Sequence, residues 1–101
     1  MAVLIPSYQP TGRLAEVVAG LRRLEPDLAV LVVDDGSGPG YDAQFRAAAA
    51  AGAEVVRYPR NAGKGAALRT GLRHLLATRR GEDVVTADSD GQHTAGDIVA
   101  V

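Results

Sequence analysis

The stretch VVTADSDGQH, residues 84–93, joins a short β-branched run to side chains that carry oxygen ligands. Residues two apart on an extended backbone point to the same side, so Asp88 and Asp90 are expected to aim at one point beyond the strand end. Gly91 allows the chain to turn there, and Gln92 can return a third oxygen to that point. Three oxygen ligands without sulfur favour a hard divalent cation, Mg²⁺ or Mn²⁺.

The sequence before this stretch alternates between short apolar runs and helical patterns. The apolar runs predict β-strands at 2–5, 28–33, 54–58 and 82–87. Apolar residues spaced by three and four predict helices at 11–24, 41–51, 66–78 and 95–101. The order βαβαβαβα predicts an α/β fold, a Rossmann-like and mostly parallel sheet with helices on both faces, in a single domain over residues 1–101.

Composition narrows the class of protein. The chain has 101 residues, of which 47% are hydrophobic and 23% are charged, so it can bury one small core. A formal net charge of -1 argues against general nucleic-acid binding. The absence of cysteine excludes disulfides, thiol catalysis and thiolate zinc sites. No apolar run is long enough to span a membrane and no signal-peptide pattern precedes the first strand, so we predict a cytoplasmic protein.

Acidic residues follow two of the predicted strands. In an open parallel sheet, ligands bind beyond the carboxyl ends of the strands, so the loops that leave those ends are the candidate site. Four of the twelve acids fall there: Asp34, Asp35, Asp88 and Asp90. Carboxylates grouped at one edge repel each other unless a cation or polar donors compensate, and a metal that holds a diphosphate would do so.

The loop at 60–65 contains the only lysine of the chain, Lys64, and its only asparagine, Asn61. This usage has two interpretations: chance in an Arg- and Ala-rich sequence, or a loop that needs those two side chains. In the second, Lys64 is available for the negative charge of a ligand. An aspartate at a strand end can also accept a hydrogen bond from a base N–H or a ribose hydroxyl. Tyr8, in the first loop, could stack against a base.

Other known motifs that contain similar residues match this sequence less well. The place of the dinucleotide Gly-x-Gly-x-x-Gly motif holds PSYQP, at 6–10, and NAGKGA, at 61–66, lacks the P-loop spacing. DSDG, at 88–91, has its glycine at the fourth position, whereas an EF-hand loop has it at the sixth. Asp-x-Asp-Gly also occurs in haloacid-dehalogenase phosphatases, where it usually follows the first strand and continues with Thr or Val. That class stays a distant alternative.

Four motifs in order resemble those of family 2 glycosyltransferases, whose fold is of the GT-A type: VLIPSYQ at 3–9, VVDDGS at 32–37, NAGKG at 61–65 and DSDGQH at 88–93. The Asp-x-Asp-x-Gln-His form is most similar to the dolichol- and polyprenyl-phosphate sugar transferase branch. The resemblance implies a metal-dependent, inverting transfer of a sugar from a UDP- or GDP-linked donor. The implied acceptor is a polyprenyl phosphate, which would place the protein at the cytoplasmic face of a membrane.

The resemblance also implies roles for the matched residues. Asp35 would hold the nucleoside base in a pocket lined by Pro6 and Tyr8, and Lys64 would lie near the base or the diphosphate. The full set with an implied donor-binding role is Pro6, Tyr8, Asp34, Asp35, Lys64 and Asp88. The implied ligands of the Mg²⁺ or Mn²⁺ ion are Asp88, Asp90 and Gln92.

The length of the chain matches the donor-binding half of such an enzyme. We therefore expect a truncated domain, with the acceptor-binding half and the general base downstream. The alternative is a nucleotide- or metal-binding module without turnover. A sugar nucleotidyltransferase is a weaker alternative, because the first loop lacks the glycine- and arginine-rich signature of that class. An uncovered fourth strand would leave an open edge and favour self-association.

Overall fold

A computed structural model gives the fold of the protein and describes residues 1–88 and 99–100. Strands and helices alternate along the chain: β1 (Ala2–Ser7), α1 (Arg13–Leu24), β2 (Ala29–Asp35), a 3-10 helix (Pro39–Tyr41), α2 (Asp42–Ala50), β3 (Glu54–Tyr58), α3 (Lys64–Thr78), β4 (Val84–Thr86) and β5 (Val99–Ala100). The predicted α/β fold, with a mostly parallel sheet, is confirmed.

The sheet has the strand order β3-β2-β1-β4-β5. Neighbouring strands are parallel from β3 to β4, and β5 is antiparallel to β4. Ser7 pairs with Asp34, and Asp35 pairs with Tyr58. The register therefore brings the carboxyl ends of β1, β2 and β3 to one edge of the sheet.

Helices cover both faces of this sheet because successive strand residues point to opposite sides. Val3, Ile5 and Val32 pack against α1 and α2 on one face. Leu4 and Val33 pack on the other face, in the core cluster that includes residues of α3. The two faces therefore have separate cores, and each strand end presents alternate residues to one or the other.

Several element ends differ from the sequence prediction. β1 continues through Pro6 to Ser7. Its described pairing with β4 ends at Leu4, so Pro6 and Ser7 are paired with β2 alone. A proline is tolerated there because a strand residue that pairs on one side only can lack a backbone N–H without losing a hydrogen bond to the neighbouring strand. β2 includes both Asp34 and Asp35, so the two acids are held by strand geometry.

The predicted fourth helix is wrong at 99–100, where the chain forms β5 and pairs with Val85 and Thr86. The strand pairing gives hydrogen-bond partners to backbone N–H and C=O groups at the edge of β4, whereas a helix at 99–100 would not. The rest of that prediction, 95–98 and 101, lies outside the described residues. The same pairing contradicts the expected open edge of β4 at Val85 and Thr86, whereas the predicted self-association stays a prediction.

Candidate functional site

A cavity of about 240 Å³ opens at the carboxyl edge of the sheet, between the end of β1 and the start of α3. Its walls come from four separate parts of the sequence: Pro6, Ser7, Tyr8, Asp35, Asn61, Gly63, Lys64, Ala67 and Asp88. Full ligand pockets measure about 300–1,000 Å³, so the described walls have room for part of a nucleotide-sized ligand.

Five of the six residues predicted to bind the donor lie on this cavity: Pro6, Tyr8, Asp35, Lys64 and Asp88. The sixth, Asp34, lies elsewhere, and Asp90 and Gln92 lie outside the described residues. The parallel register explains the grouping. Pro6 and Asp35 come from the aligned ends of β1 and β2, and Lys64 is the first residue of α3.

Asp35 is 3% exposed, and its carboxylate accepts hydrogen bonds from one short segment of the chain. Oδ1 accepts from the Tyr58 hydroxyl at 2.5 Å and from the Ala62 N–H at 2.8 Å. Oδ2 accepts from the Asn61 side-chain amide and from the Gly63 N–H, both at 2.9 Å. The same Asn61 amide donates to the Asp35 carbonyl at 3.1 Å. The only asparagine of the chain therefore ties this loop to Asp35, and the prediction that the loop needs it stays a prediction.

The start of α3 faces the cavity with positive character. Gly63, at φ 93°, precedes the helix in a conformation that favours glycine, and no side chain caps the helix there. The uncapped N–H groups of a first helical turn carry partial positive charge. The Lys64 side chain belongs to the same turn, so this wall suits a negatively charged or carbonyl-bearing group.

Two further walls differ in polarity. Tyr8 lines the cavity and is 49% exposed, so a ligand can reach this side chain. Ser7 is 3% exposed, and its Oγ has no hydrogen-bond partner within 1–88 and 99–100. A buried polar atom without a partner costs stability, and a ligand or water at this wall can satisfy it.

Asp34 belongs to a different cluster, on the α2 side of the sheet. It is 1% exposed and accepts from the Ser37 N–H at 2.9 Å and from Arg57 Nε at 2.7 Å. Arg57 also donates to Asp42 at 2.6 Å, and its guanidinium lies 4.8 Å from the centre of the Phe45 ring. Hydrogen bonds to Asp34 and then Asp42 raise the pKa of Arg57 above its usual value.

This second cluster also holds the first loop. The Gln9 N–H donates to Ser37 Oγ at 2.7 Å, and Ser37 in turn donates to Asp34. Gln9 directly follows Tyr8, so the Asp34 cluster helps to fix the loop that presents Tyr8 to the cavity. Its effect on the cavity is therefore indirect.

Sequence reasoning missed Arg57 and Tyr58, although they supply one partner to each aspartate. The signal that identifies them is strand register, since β3 pairs Arg57 with Asp34 and Tyr58 with Asp35. Burial and then the hydrogen bond to Asp35 raise the pKa of the Tyr58 hydroxyl well above its usual range. Tyr58 therefore stays protonated and donates to Asp35.

Of the three predicted metal ligands, the structure describes Asp88, which lies on the cavity wall. Within 1–88 and 99–100, no three His, Cys, Asp or Glu residues are close enough together to hold a metal ion. The chemistry of the sequence motif, two carboxylates and an amide oxygen, fits a hard divalent cation; of these three residues the structure places Asp88 alone, on the cavity wall.

The structure is an α/β domain with a cavity at the carboxyl edge of its parallel sheet, where open α/β sheets bind ligands. The glycosyl transferase family 2 model matches residues 2–100, and the chain belongs to this family. It is 28% identical, over 97% of its length, to the uncharacterized protein MJ0544 of Methanocaldococcus jannaschii. It is also similar in structure to the mannosyltransferase PcManGT of Pyrobaculum calidifontis in complex with GDP-Man and Mn²⁺, with a TM-score of 0.71 and 29% identity over 88% of this chain.

The chain spans 43% of the length of MJ0544 and 27% of the mannosyltransferase chain. The family match and the structural similarity establish the family and the GT-A type of fold for the portion that contains the cavity.

Within its described part, no helix is long and apolar enough to cross a membrane.

Proposed function

We propose that the protein is a glycosyltransferase that binds a nucleoside-diphosphate sugar in this cavity and transfers the sugar to an acceptor. The observation that carries the proposal is that residues from four separate sequence motifs meet on one cavity. A chance set of turns would not place Pro6, Asp35, Lys64 and Asp88 together at the carboxyl edge, where open α/β sheets bind ligands.

Each wall suits a different part of the donor. Tyr8 can stack on the base, and Lys64 with the uncapped turn of α3 can receive a base carbonyl or a phosphate. Asp88, with Asp90 and Gln92, would hold Mg²⁺ or Mn²⁺. A cation bound there would neutralise charge on the departing diphosphate, which is how a metal assists such a leaving group. Asp34 has no part in these contacts, because it lies in the separate arginine cluster.

The donor and acceptor are proposed from the comparisons and from the motif. A GDP-linked donor and Mn²⁺ are the first choices, because the similar mannosyltransferase was solved with both; a UDP-linked donor and Mg²⁺ are the alternatives. An inverting reaction is proposed from the resemblance to the family as a whole. A polyprenyl phosphate acceptor, and with it a position at the cytoplasmic face of a membrane, is proposed only from the Asp-x-Asp-x-Gln-His form of the motif.

One observation favours the second candidate, a nucleotide- or metal-binding module without turnover. Asp35 is engaged by four donors, so it is not free to act as a general base. The other described acid on the cavity, Asp88, is assigned above to the metal, so this proposal leaves turnover dependent on a base from elsewhere. Release of nucleoside diphosphate in the presence of a polyprenyl phosphate separates the two candidates.

Calorimetric binding of UDP and GDP to the intact protein, with and without Mn²⁺, tests the proposal. We expect Mn²⁺-dependent binding that Asp90→Ala abolishes. Lys64→Ala should weaken binding roughly tenfold, because it removes a charged hydrogen-bond donor. Arg73→Ala is the matched control, since Arg73 is an exposed cation on the same helix, away from the cavity. Binding that does not depend on the metal and is unchanged by both Asp90→Ala and Lys64→Ala would contradict the proposal.

A further inference from the structure

The positive charge of the chain is concentrated in one segment. Residues 55–81 contain seven of the eleven basic residues and none of the twelve acids. Because the whole chain has a formal net charge of -1, the residues outside this segment are strongly acidic. More than half of the segment is α3, so the helix side of this domain carries a positive potential that the rest of the molecule does not share.

Two arginines and a leucine form the outer surface of α3. The buried residues of this helix repeat every four positions and face the sheet: Ala67, Gly71 and Leu75. Arg69, Arg73 and Leu76 are spaced by four and three, lie on the opposite side of the helix and are exposed. Arg80 is also exposed and follows two residues after the helix ends. Arg69, Arg73, Leu76 and Arg80 are named the basic face.

Neighbouring acids do not neutralise the basic face. Its three arginines form no ion pair with any acid in the described part of the chain. The two acids that border the segment in sequence are engaged elsewhere. Glu54 contacts His74 at 2.9 Å, and Glu82 accepts from Arg79 and from the N-terminal amine, both at 3.0 Å. The arginines of the basic face are therefore available to an anionic partner.

The apolar residue on this face indicates which partner fits. Leu76 is 65% exposed and lies between Arg73 and Arg80 in the sequence. A helix that binds an anionic bilayer combines cations, which meet the lipid phosphates, with apolar side chains that enter the acyl boundary. Sites for single-stranded nucleic acid add aromatic side chains for stacking, and α3 has none. We propose that the basic face docks the protein onto a membrane that contains anionic lipids.

The position of the basic face agrees with the function proposed for the cavity. α3 begins at the cavity with Lys64, and Arg69 follows about 7.5 Å further along the helix axis. A bilayer on the basic face would therefore lie next to the cavity, and the polyprenyl phosphate proposed as acceptor is itself a membrane lipid. The docking inference rests on charge and exposure, and it stands without nucleotide binding.

Sedimentation with lipid vesicles tests docking in the intact protein. We expect binding to phosphatidylcholine vesicles that contain about one-third phosphatidylglycerol, and no binding to pure phosphatidylcholine. The combined variant Arg69→Gln, Arg73→Gln and Arg80→Gln should bind about a hundredfold more weakly, because each cation near anionic lipid contributes about fivefold. Added salt should also weaken binding of the natural protein. Absence of binding to the anionic vesicles would overturn the proposal.

A second combined variant is the matched control. Arg13, Arg23 and Arg46 are exposed cations of α1 and α2, which cover the other face of the sheet. Their replacement in Arg13→Gln, Arg23→Gln and Arg46→Gln changes the net charge by the same amount. Binding to anionic vesicles should stay within about two- to threefold of the natural protein. Equal losses in the two combined variants would show that net charge, and not the basic face, controls binding, and would also overturn the proposal.

A fluorescent reporter locates the contact. The sequence has no tryptophan, so one introduced indole reports on its own surroundings. In Leu76→Trp, anionic vesicles should shift the emission to shorter wavelength as the ring enters the acyl boundary. Leu24→Trp is the control, because Leu24 is 69% exposed on α1, and its emission should not shift. An unchanged spectrum in Leu76→Trp, or equal shifts in both variants, would contradict docking by the basic face.

Two further measurements separate docking from other functions. UDP and GDP, each with Mn²⁺, should bind equally to the natural protein and to the combined basic-face variant. A protein that binds nucleotide but no anionic vesicle would refute docking alone, and one that binds vesicles but no nucleotide would refute the proposed function alone. Binding to a single-stranded RNA that the basic-face variant loses, without binding to vesicles, would assign this face to nucleic acid and overturn the proposal.

Discussion

Asp34 and Asp35 are adjacent and almost fully buried, yet they build two different regions of the molecule. Asp34 lies on the α1/α2 side of the sheet and binds a guanidinium, whereas Asp35 lies on the α3 side and binds a loop. The cause is the alternation of side chains along a strand, which sends neighbours to opposite faces. A motif of two acids is therefore not one site, even where both acids occur at the same strand end.

The two regions also differ in the kind of donor. Arg57 shares its charge between Asp34 and Asp42, so the first cluster is an ion-pair network. The donors to Asp35 are all neutral: a hydroxyl, a side-chain amide and two backbone N–H groups. We expect changes in the Asp34 cluster to appear mainly as lower stability, and changes in the Asp35 cluster to appear both as lower stability and as weaker ligand binding.

The largest effect is expected at Gly36, which lies between the two clusters. Its φ is +69°, and a Cβ there would overlap the backbone of Arg60 and Asn61. Gly36→Ala should lower the free energy of unfolding by about 3 kcal/mol, from backbone strain and overpacking together, and should disturb both clusters. Urea denaturation measures this. Gly40→Ala is the control, because a Cβ at Gly40 meets nothing within 4 Å; equal losses in both variants would contradict the account.

Asp34→Ala should have the next largest effect. It leaves the buried Ser37 N–H without its acceptor and removes one partner of Arg57, whose side chain is 35% exposed and therefore partly screened. We expect a loss of about 2 kcal/mol in the free energy of unfolding. Asp34→Asn should lose less, because its amide oxygen can still accept from Ser37.

The same Asp34 variants sharpen the comparison through the other cluster. Amide exchange at Ala62 and Gly63 should stay as in the natural protein, because those groups bind Asp35 on the opposite face. Faster exchange at both amides in Asp34→Asn would show that the two clusters are one unit.

Tyr58→Phe should cost about 1 kcal/mol at neutral pH, the usual contribution of one hydrogen bond. It should also change the dependence of stability on pH. The pKa of Tyr58 is raised in the folded protein by burial and then by Asp35, whereas the unfolded chain releases this proton near pH 10. The free energy of unfolding of the natural protein should therefore fall as pH rises above about 10. Urea titrations from pH 8 to 11 should show a shallower fall in Tyr58→Phe; identical slopes would disprove the shifted titration.

Asp42→Ala should have the smallest effect. Its carboxylate is 40% exposed, and exposed ion pairs contribute about 0–1 kcal/mol. We expect a loss of about 0.5 kcal/mol that added salt reduces further. A loss as large as that of Asp34→Ala would mean that Arg57 depends on both acids equally, and the division into a buried and an exposed partner would be wrong.

The sequence by itself determined the α/β class, the number of βα units before residue 88 and most of the cavity wall. These features follow from local patterns: short apolar runs, spacings of three and four, and loops that must leave the carboxyl ends of parallel strands. Pro6, Tyr8, Asp35, Lys64 and Asp88 could therefore be placed at one edge from their positions alone.

Tertiary structure decided what local patterns cannot encode. The register between β2 and β3 assigned Arg57 to Asp34 and Tyr58 to Asp35, because pairing depends on residues more than 20 positions apart. It also decided that 99–100 pair with β4, although their spacing fitted a helix. An aspartate at a strand end looks the same in the sequence whether its oxygens face a ligand or a loop. Only the three-dimensional arrangement of donors shows that those of Asp35 are already occupied.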